Sequence, residues 1–316
     1  MTPPSTPIAE PGAAIGYAGP LRRLGRRMRD GRTVPVLTVV LAILAIWYLA
    51  AIGMNWATET VKLERAGEAY GALDTVAATW SAERPVLPAP HQIVVEIWNS
   101  TVGVKPSSPR SLLYHAWVTL SSTLLGFLIG TALGVLLAVG ILNSRTLDKS
   151  LMPWIIASQT IPILAIAPMV IVVLNSVGVT GLLPKAIIST YLSFFPVAVG
   201  MVKGLRSPDA MLIDLMHTYS ATRRQTLVKL RWPASMPFLF TSMKVAVAAA
   251  LVGAIVGELP TGAVAGLGAR LLAGSYYGQT IQIWSALVAA AIMAGVLVWL
   301  IGLGEKASLK RMGARP

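Results

Sequence analysis

The chain is 316 residues long, 55% hydrophobic and only 12% charged, where an ordinary soluble domain carries about 25% charge. That deficit excludes a water-soluble globular enzyme. A net charge of +13 would fit nucleic acid in a soluble protein, but the basic residues sit in short clusters between apolar runs, and the absence of cysteine removes disulfides and thiolate metal sites.

Residues 1–33 are rich in Pro, Gly, Ala and Ser and end in Arg22, Arg23, Arg26, Arg27, Arg29 and Arg32, which predicts a disordered basic tail. The apolar run Val34 to Ile52 exceeds the 7 to 15 residues of a signal-peptide core, so it predicts a retained span over 34–54. Residues 55–112 carry mixed charge and several prolines and read as a long loop outside the membrane. Within it, Pro90, Ile93, Val94, Ile97 and Trp98 follow helical spacing, for a short helix either lying on the membrane surface or packed inside the protein.

A hydrocarbon core about 30 Å thick needs roughly 20 apolar residues per helix. Trp117 to Leu142, Trp154 to Leu174, Leu182 to Val202, Phe238 to Leu259 and Ile281 to Leu303 meet that need, and none shows the alternation of a barrel strand. The fold class is therefore an all-α integral membrane protein of about six transmembrane helices, with a five-helix core over 113–304 and a short tail over 305–316. Gly126, Gly130 and Gly134 in the second span, and Ala246, Ala249, Ala250, Gly253 and Gly257 in the fifth, make small-residue faces that predict close approach of partner helices.

The remaining basic clusters are Arg145 and Lys149; Lys203, Arg206, Arg223, Arg224, Lys229 and Arg231; and Lys306, Lys310, Arg311 and Arg315. With six crossings they all share one side with the basic tail, so both termini are expected in the cytoplasm, with the clusters meeting anionic membrane lipid and no nucleic acid.

Between the fourth and fifth spans, over 205–236, runs a polar but helical-looking segment. A connection longer than about 12 to 15 residues is either disordered or functional, and this one is not disordered in composition. Leu212, Leu215, Met216 and Tyr219 share one helical face, Ser220 makes a break, and Leu227 and Leu230 mark a second short helix. Two short helices, partly apolar and partly basic, suit a docking surface. The segment resembles the cytoplasmic motif of the permease subunits of bacterial ATP-binding-cassette (ABC) importers, in the branch that serves sulfonates, taurine, nitrate and thiamine precursors. Asp214, Leu215 and Met216 stand at that motif's Glu-Ala-Ala, Ser220 at its glycine, Leu230 at its isoleucine, and Trp232 with Pro233 at its final pair. Thr160 to Pro168, Phe194 to Pro196 and Gly266 to Gly268 extend the likeness.

The resemblance implies the type I importer permease fold. It implies a pair of permeases, as two copies or as this chain with a paralogue, around a central path. It also implies two separate ATPase subunits that bind ATP and magnesium, and an extracytoplasmic substrate-binding protein. The chain itself has no phosphate-cradling Gly-Lys-Ser/Thr loop, so it is expected to hold no cofactor and to catalyse nothing. Asp214, Leu215, Met216, His217, Tyr219, Ser220, Arg223 and Arg224 are the expected ATPase contacts. Ser158, Gln159, Thr160 and Pro162 in the third span, with Pro168, are the expected pore lining. Glu258 reads as a gate residue or, in preference, as a carboxylate at the aqueous interface beside Pro260 and Gly262. Lys244 reads as snorkelling to the headgroups, and Trp47, Tyr48, Tyr276, Tyr277 and Trp284 as an interfacial belt. The substrate class implied is a small anion or heterocycle. An ion-coupled secondary transporter is the alternative, but the sequence shows neither internal repeats nor paired intramembrane charges.

Overall fold

A computed structural model describes residues 33–67, 70–260 and 263–313. The tail over 1–32 and Arg315 lie outside the described residues. Within them the chain is helical, without strands, and five helices are long and apolar enough to cross a membrane, or six if one bent pair counts as a span.

Helix α1 (Thr33–Ala66) has 34 residues and runs well beyond the expected exit at 54. No Gly or Pro stands between Asn55 and Ala66, so the helix continues until Gly67 takes a positive φ of 70°. Two short helices, α2 (Ala72–Ser81) and α3 (Pro90–Thr101), occupy much of the segment expected as loop. Asn55 pins this lobe: its Nδ2 donates to the Leu87 carbonyl at 2.8 Å and its Oδ1 accepts from the Val86 amide at 2.7 Å. Trp47 donates to the Pro88 carbonyl and packs on Trp284 at 4.9 Å, while Tyr48 meets His91. These three aromatics thus serve internal packing, and Tyr276 and Tyr277 are the exposed ones. Helix α3 buries Ile93 and leaves Val94, Val95 and Trp98 outward, so one face packs and the other is free.

The core is a bundle of α4 (Leu112–Asn143), α7 (Leu182–Leu205) and α10 (Trp232–Glu258), closed by α12 (Thr280–Arg311). Both small-residue faces meet α7 within the same chain. A Cβ on Gly130 would stand 2.0 Å from the Ser193 hydroxyl, and one on Gly126 would stand 2.3 Å from the Ser189 Cβ. A Cβ on Gly253 would stand 2.7 Å from the Ser189 Cα. Glycine fits there because the helices approach so closely that a Cβ would meet the side chain or backbone opposite, and these faces are used up inside the subunit. Val197, Met201, Leu205, Ala246, Val247 and Ala250 fill the rest of the contact. Lys244, rather than snorkelling, forms an ion pair with Glu305 of α12.

The expected third span is broken. Helix α5 (Arg145–Ser158) and helix α6 (Ile163–Ser176) meet at 98°. Pro162 causes the break: it sits at φ −63°, ψ 117°, its ring disfavours helical geometry at Ile161, and it lacks the amide that would continue α5.

Candidate functional site

The connection between α7 and α10 begins with α8 (Ala210–Thr218). Its end is a Schellman turn, in which the Ser220 amide donates to the His217 carbonyl at 2.8 Å and the Ala221 amide to the Met216 carbonyl at 2.9 Å. Ser220 occupies the left-handed position at φ 52°, the only described non-glycine residue with positive φ. The turn that glycine favours is therefore made, with serine bearing the strain. Thr222 then caps the next helix, α9 (Arg223–Thr226), in a reciprocal box: the Gln225 amide donates to the Thr222 hydroxyl and the Thr222 amide to Gln225 Oε1.

Helix α9 is not the free second helix expected. It passes through a widened π turn, Leu227–Arg231, straight into α10. The ring of Pro233 excludes a carbonyl four residues earlier, and the turn widens just before it. Two contacts hold the segment to the bundle: Arg231 donates to the Leu205 carbonyl at 2.9 Å, and Arg206 pairs with Asp148 in the first turn of α5 at 2.8 Å.

The expected contact residues separate into two sets. Asp214, Leu215, His217, Tyr219, Ser220, Arg223 and Arg224 are exposed, Tyr219 at 78%. Met216 is half-buried, as is Ile213. The outward apolar set is Met211, Leu212, Leu215 and Tyr219. Ile213, which lines the cavity beneath the helix, is a residue that sequence reasoning missed, although its spacing of three from Met216 is the signal. Beneath α8 a cavity of about 510 Å³ is lined by residues that include Asn143, Arg145, Ile213, His217, Arg223 and Arg231. Arg223 thus faces this cavity, whereas Arg224 does not line it.

Ser158, Gln159, Thr160 and Pro162 form the α5–α6 elbow. Ser158's hydroxyl donates to the Ile155 carbonyl and Thr160's to the Ala157 carbonyl. The Ser158 carbonyl accepts from the hydroxyl of Tyr191, near the middle of α7, so the elbow lies at mid-height of the bundle. Thr160, Ile161 and Pro162 are exposed there.

Glu258 does not join the elbow, and it is not at an aqueous interface. It is 0% exposed. The Thr119 hydroxyl lies 3.0 and 2.9 Å from its two oxygens, the Gly268 amide donates to Oε2 at 2.9 Å, and Lys185 stands 3.7 Å away. Its carboxylate caps the amino end of α11 (Leu267–Tyr276), where a negative charge is favoured. Thr119 also accepts from the Leu267 amide at 2.8 Å, and His115 Nδ1 accepts from the Gly266 amide at 3.0 Å. That bond leaves the His115 proton on Nε2, which donates to the Pro109 carbonyl. Gly266 has φ 126°, and a Cβ there would stand 2.1 Å from the Glu258 carboxyl carbon. The Gly-Leu-Gly stretch is thus shaped around a carboxylate. Lys185 and Glu258 are a buried charge pair that the sequence did not announce, because 73 positions separate them. No group of His, Asp and Glu among the described residues can hold a metal ion.

Comparison with known proteins gives one consistent picture. Residues 130–313 match the family described as "binding-protein-dependent transport system inner membrane component". A formylaminopyrimidine transport permease of Halalkalibacterium halodurans is 32% identical over 184 residues, 58% of this chain and 68% of the relative. A riboflavin transport system permease of Chloroflexus aurantiacus is 31% identical over 221 residues, 70% and 78%. A putative aliphatic sulfonates transport permease of Bacillus subtilis is 25% identical over 243 residues, 77% and 82%. In fold, a chain of the MetNI methionine ABC transporter in an inward-facing conformation superposes with TM-score 0.56 at 19% identity, over 62% of this chain and 95% of that one. A multi-pass helical chain that shares the family's sequence over most of its core and the importer's fold belongs to the binding-protein-dependent inner membrane components, the permease subunits of ABC importers.

Proposed function

We infer that this subunit forms half of a translocation path and couples to a separate ATPase through residues 207–230, with the end that carries α8 in the cytoplasm. The observation that carries this reading is α8 itself: a short helix outside the bundle, ended by a Schellman turn, in a segment held by the Arg231–Leu205 hydrogen bond and the Arg206–Asp148 ion pair, with Met211, Leu215 and Tyr219 exposed. Buried apolar and aromatic anchors dominate such interfaces. ATP and magnesium belong to that ATPase, two copies of which serve two permeases.

The elbow supports pairing. Irregular backbone at mid-depth is tolerated only against protein or water, and Thr160 to Pro162 are left exposed by their own chain. A second permease, identical or paralogous, supplies the opposite wall. The relatives serve a formylaminopyrimidine, riboflavin and aliphatic sulfonates by name, which favours a small anion or heterocycle delivered by an extracytoplasmic binding protein. The test is co-purification of the ATPase with point variants. Tyr219→Ala removes an anchor and should weaken association by on the order of 30-fold, from about 2 kcal/mol, while Arg224→Ala at the rim costs far less. Equal retention of the ATPase by both variants and by a Leu215→Ala, Tyr219→Ala double variant would sink the docking assignment.

A further inference from the structure

The cavity beneath α8 is distinct from the outward face assigned to docking. Its walls come from four places: the end of α4 through Asn143, the first residue of α5 through Arg145, the inward side of α8 through Ile213 and His217, and the α9 and π-turn segment through Arg223 and Arg231. Three guanidinium groups and an imidazole therefore line one space of about 510 Å³, and no carboxylate is among the lining residues. Among the described residues neither Arg145 nor Arg223 has an ion-pair partner. Arg231 uses only one nitrogen, on the Leu205 carbonyl. The acids nearest in sequence are otherwise placed, with Asp148 paired to Arg206 and Asp209 and Asp214 exposed.

Like charges gathered in a concave space raise the local concentration of a counter-ion, and guanidinium forks match phosphate oxygens in pairs. The amino end of α5 adds its dipole at Arg145, the first residue of that helix. Leu142, Ile213 and Leu227 give the same cavity an apolar share, and it lies where two membrane helices, α4 and α7, end. We propose that this cavity binds a phosphate-bearing anion, which ties α8 to α4, α5 and the π turn and so stiffens the docking segment. The phosphate comes from an anionic phospholipid headgroup or from a soluble phosphate, and the chemistry is shared.

The site exists or fails independently of any ATPase. The experiment uses the full chain purified in detergent, exchanged out of native lipid. Thermal unfolding is followed with added short-chain phosphatidylglycerol, short-chain phosphatidylcholine or inorganic phosphate, and native mass spectrometry counts retained phosphatidylglycerol. Stabilisation by phosphatidylglycerol alone identifies a lipid site, and stabilisation by inorganic phosphate as well identifies a soluble anion. Either requires that apparent affinity fall on the order of tenfold for Arg145→Gln and again for Arg223→Gln, since a hydrogen bond to a charged group is lost each time. Arg145→Lys should restore part of it, and Arg224→Gln should leave it unchanged. If neither phosphate probe stabilises the wild-type chain above the phosphatidylcholine control, the proposal is wrong. The same holds if Arg224→Gln weakens binding as much as the cavity variants.

Discussion

Replacing Glu258 by Gln keeps shape and removes charge, so it isolates what the buried carboxylate does for α11. In the wild-type chain the carboxylate accepts from the Gly268 amide and the Thr119 hydroxyl and stands near Lys185. Hydrogen bonds to a charged acceptor contribute about 1.5–3 kcal/mol each and neutral ones roughly half that. Two bonds weakened by half cost about 1.5–3 kcal/mol together. Lys185 keeps its bond to the Ala265 carbonyl at 3.0 Å but loses the only close anion among the described residues, which adds to the loss. Global unfolding of a membrane bundle is a poor gauge of such a local effect, whereas amide hydrogen exchange reads local opening directly. Exchange at Gly266 to Arg270 should accelerate by about tenfold or more, while amides in the middle of α7 stay slow. An unchanged rate at Gly266 to Arg270 would show that the carboxylate does not hold this helix, and that Thr119 and His115 suffice.

Gly130→Ala forces a methyl to within 2.0 Å of the Ser193 hydroxyl and should cost about 1–3 kcal/mol by separating α4 from α7. Because the next nearest atoms stand at 3.1 Å, adding Ser193→Ala should recover most of the lost thermal stability, and no recovery would place the clash elsewhere. Tyr191→Phe strips the elbow of its donor to the Ser158 carbonyl, worth about 1 kcal/mol; uptake into proteoliposomes should fall with the amount of assembled complex unchanged, and normal uptake would mean that the elbow is held by other contacts. For topology, a lone cysteine at exposed Ser81 should react with an impermeant thiol reagent in intact cells and one at exposed Ala307 should not; the reverse pattern overturns the orientation.

Five of the six spans were legible because a continuous apolar run needs no partner to be recognised. The third misled. Ile161 and Ile163 to Ile166 carry the apolar average across the break, so only Pro162 marks a turn of 98°, and a proline in a membrane helix more often kinks than divides it. The end of α1 was misplaced for a related reason: Asn55, Glu59 and Lys62 mark the exit from hydrocarbon, while the helix itself is ended only by Gly67. The turn at Ser220 was legible in position but not in outcome, because sequence gives the preference for glycine and not whether serine meets the same geometry. Glu258 was read at the surface because its neighbours in sequence, Pro260 and Gly262, look like a loop. Its partners come from residues 119, 185 and 268, and no local pattern joins those positions.

The elbow also sets a length problem for the membrane. At 1.5 Å per residue, α5 and α6, of 14 residues each, are each roughly 21 Å long, against a hydrocarbon thickness of about 30 Å. With 98° between them, they cannot both stand along the membrane normal: where one is upright the other lies nearly flat, and this wall then rises roughly 21 Å, about 9 Å short of the lipid. Acyl chains beside a lone subunit must compress there, at a fraction of a kcal/mol per ångström. Covering the elbow with a second subunit releases that compression, so the bilayer's own elasticity favours assembly whatever side chains meet across the interface.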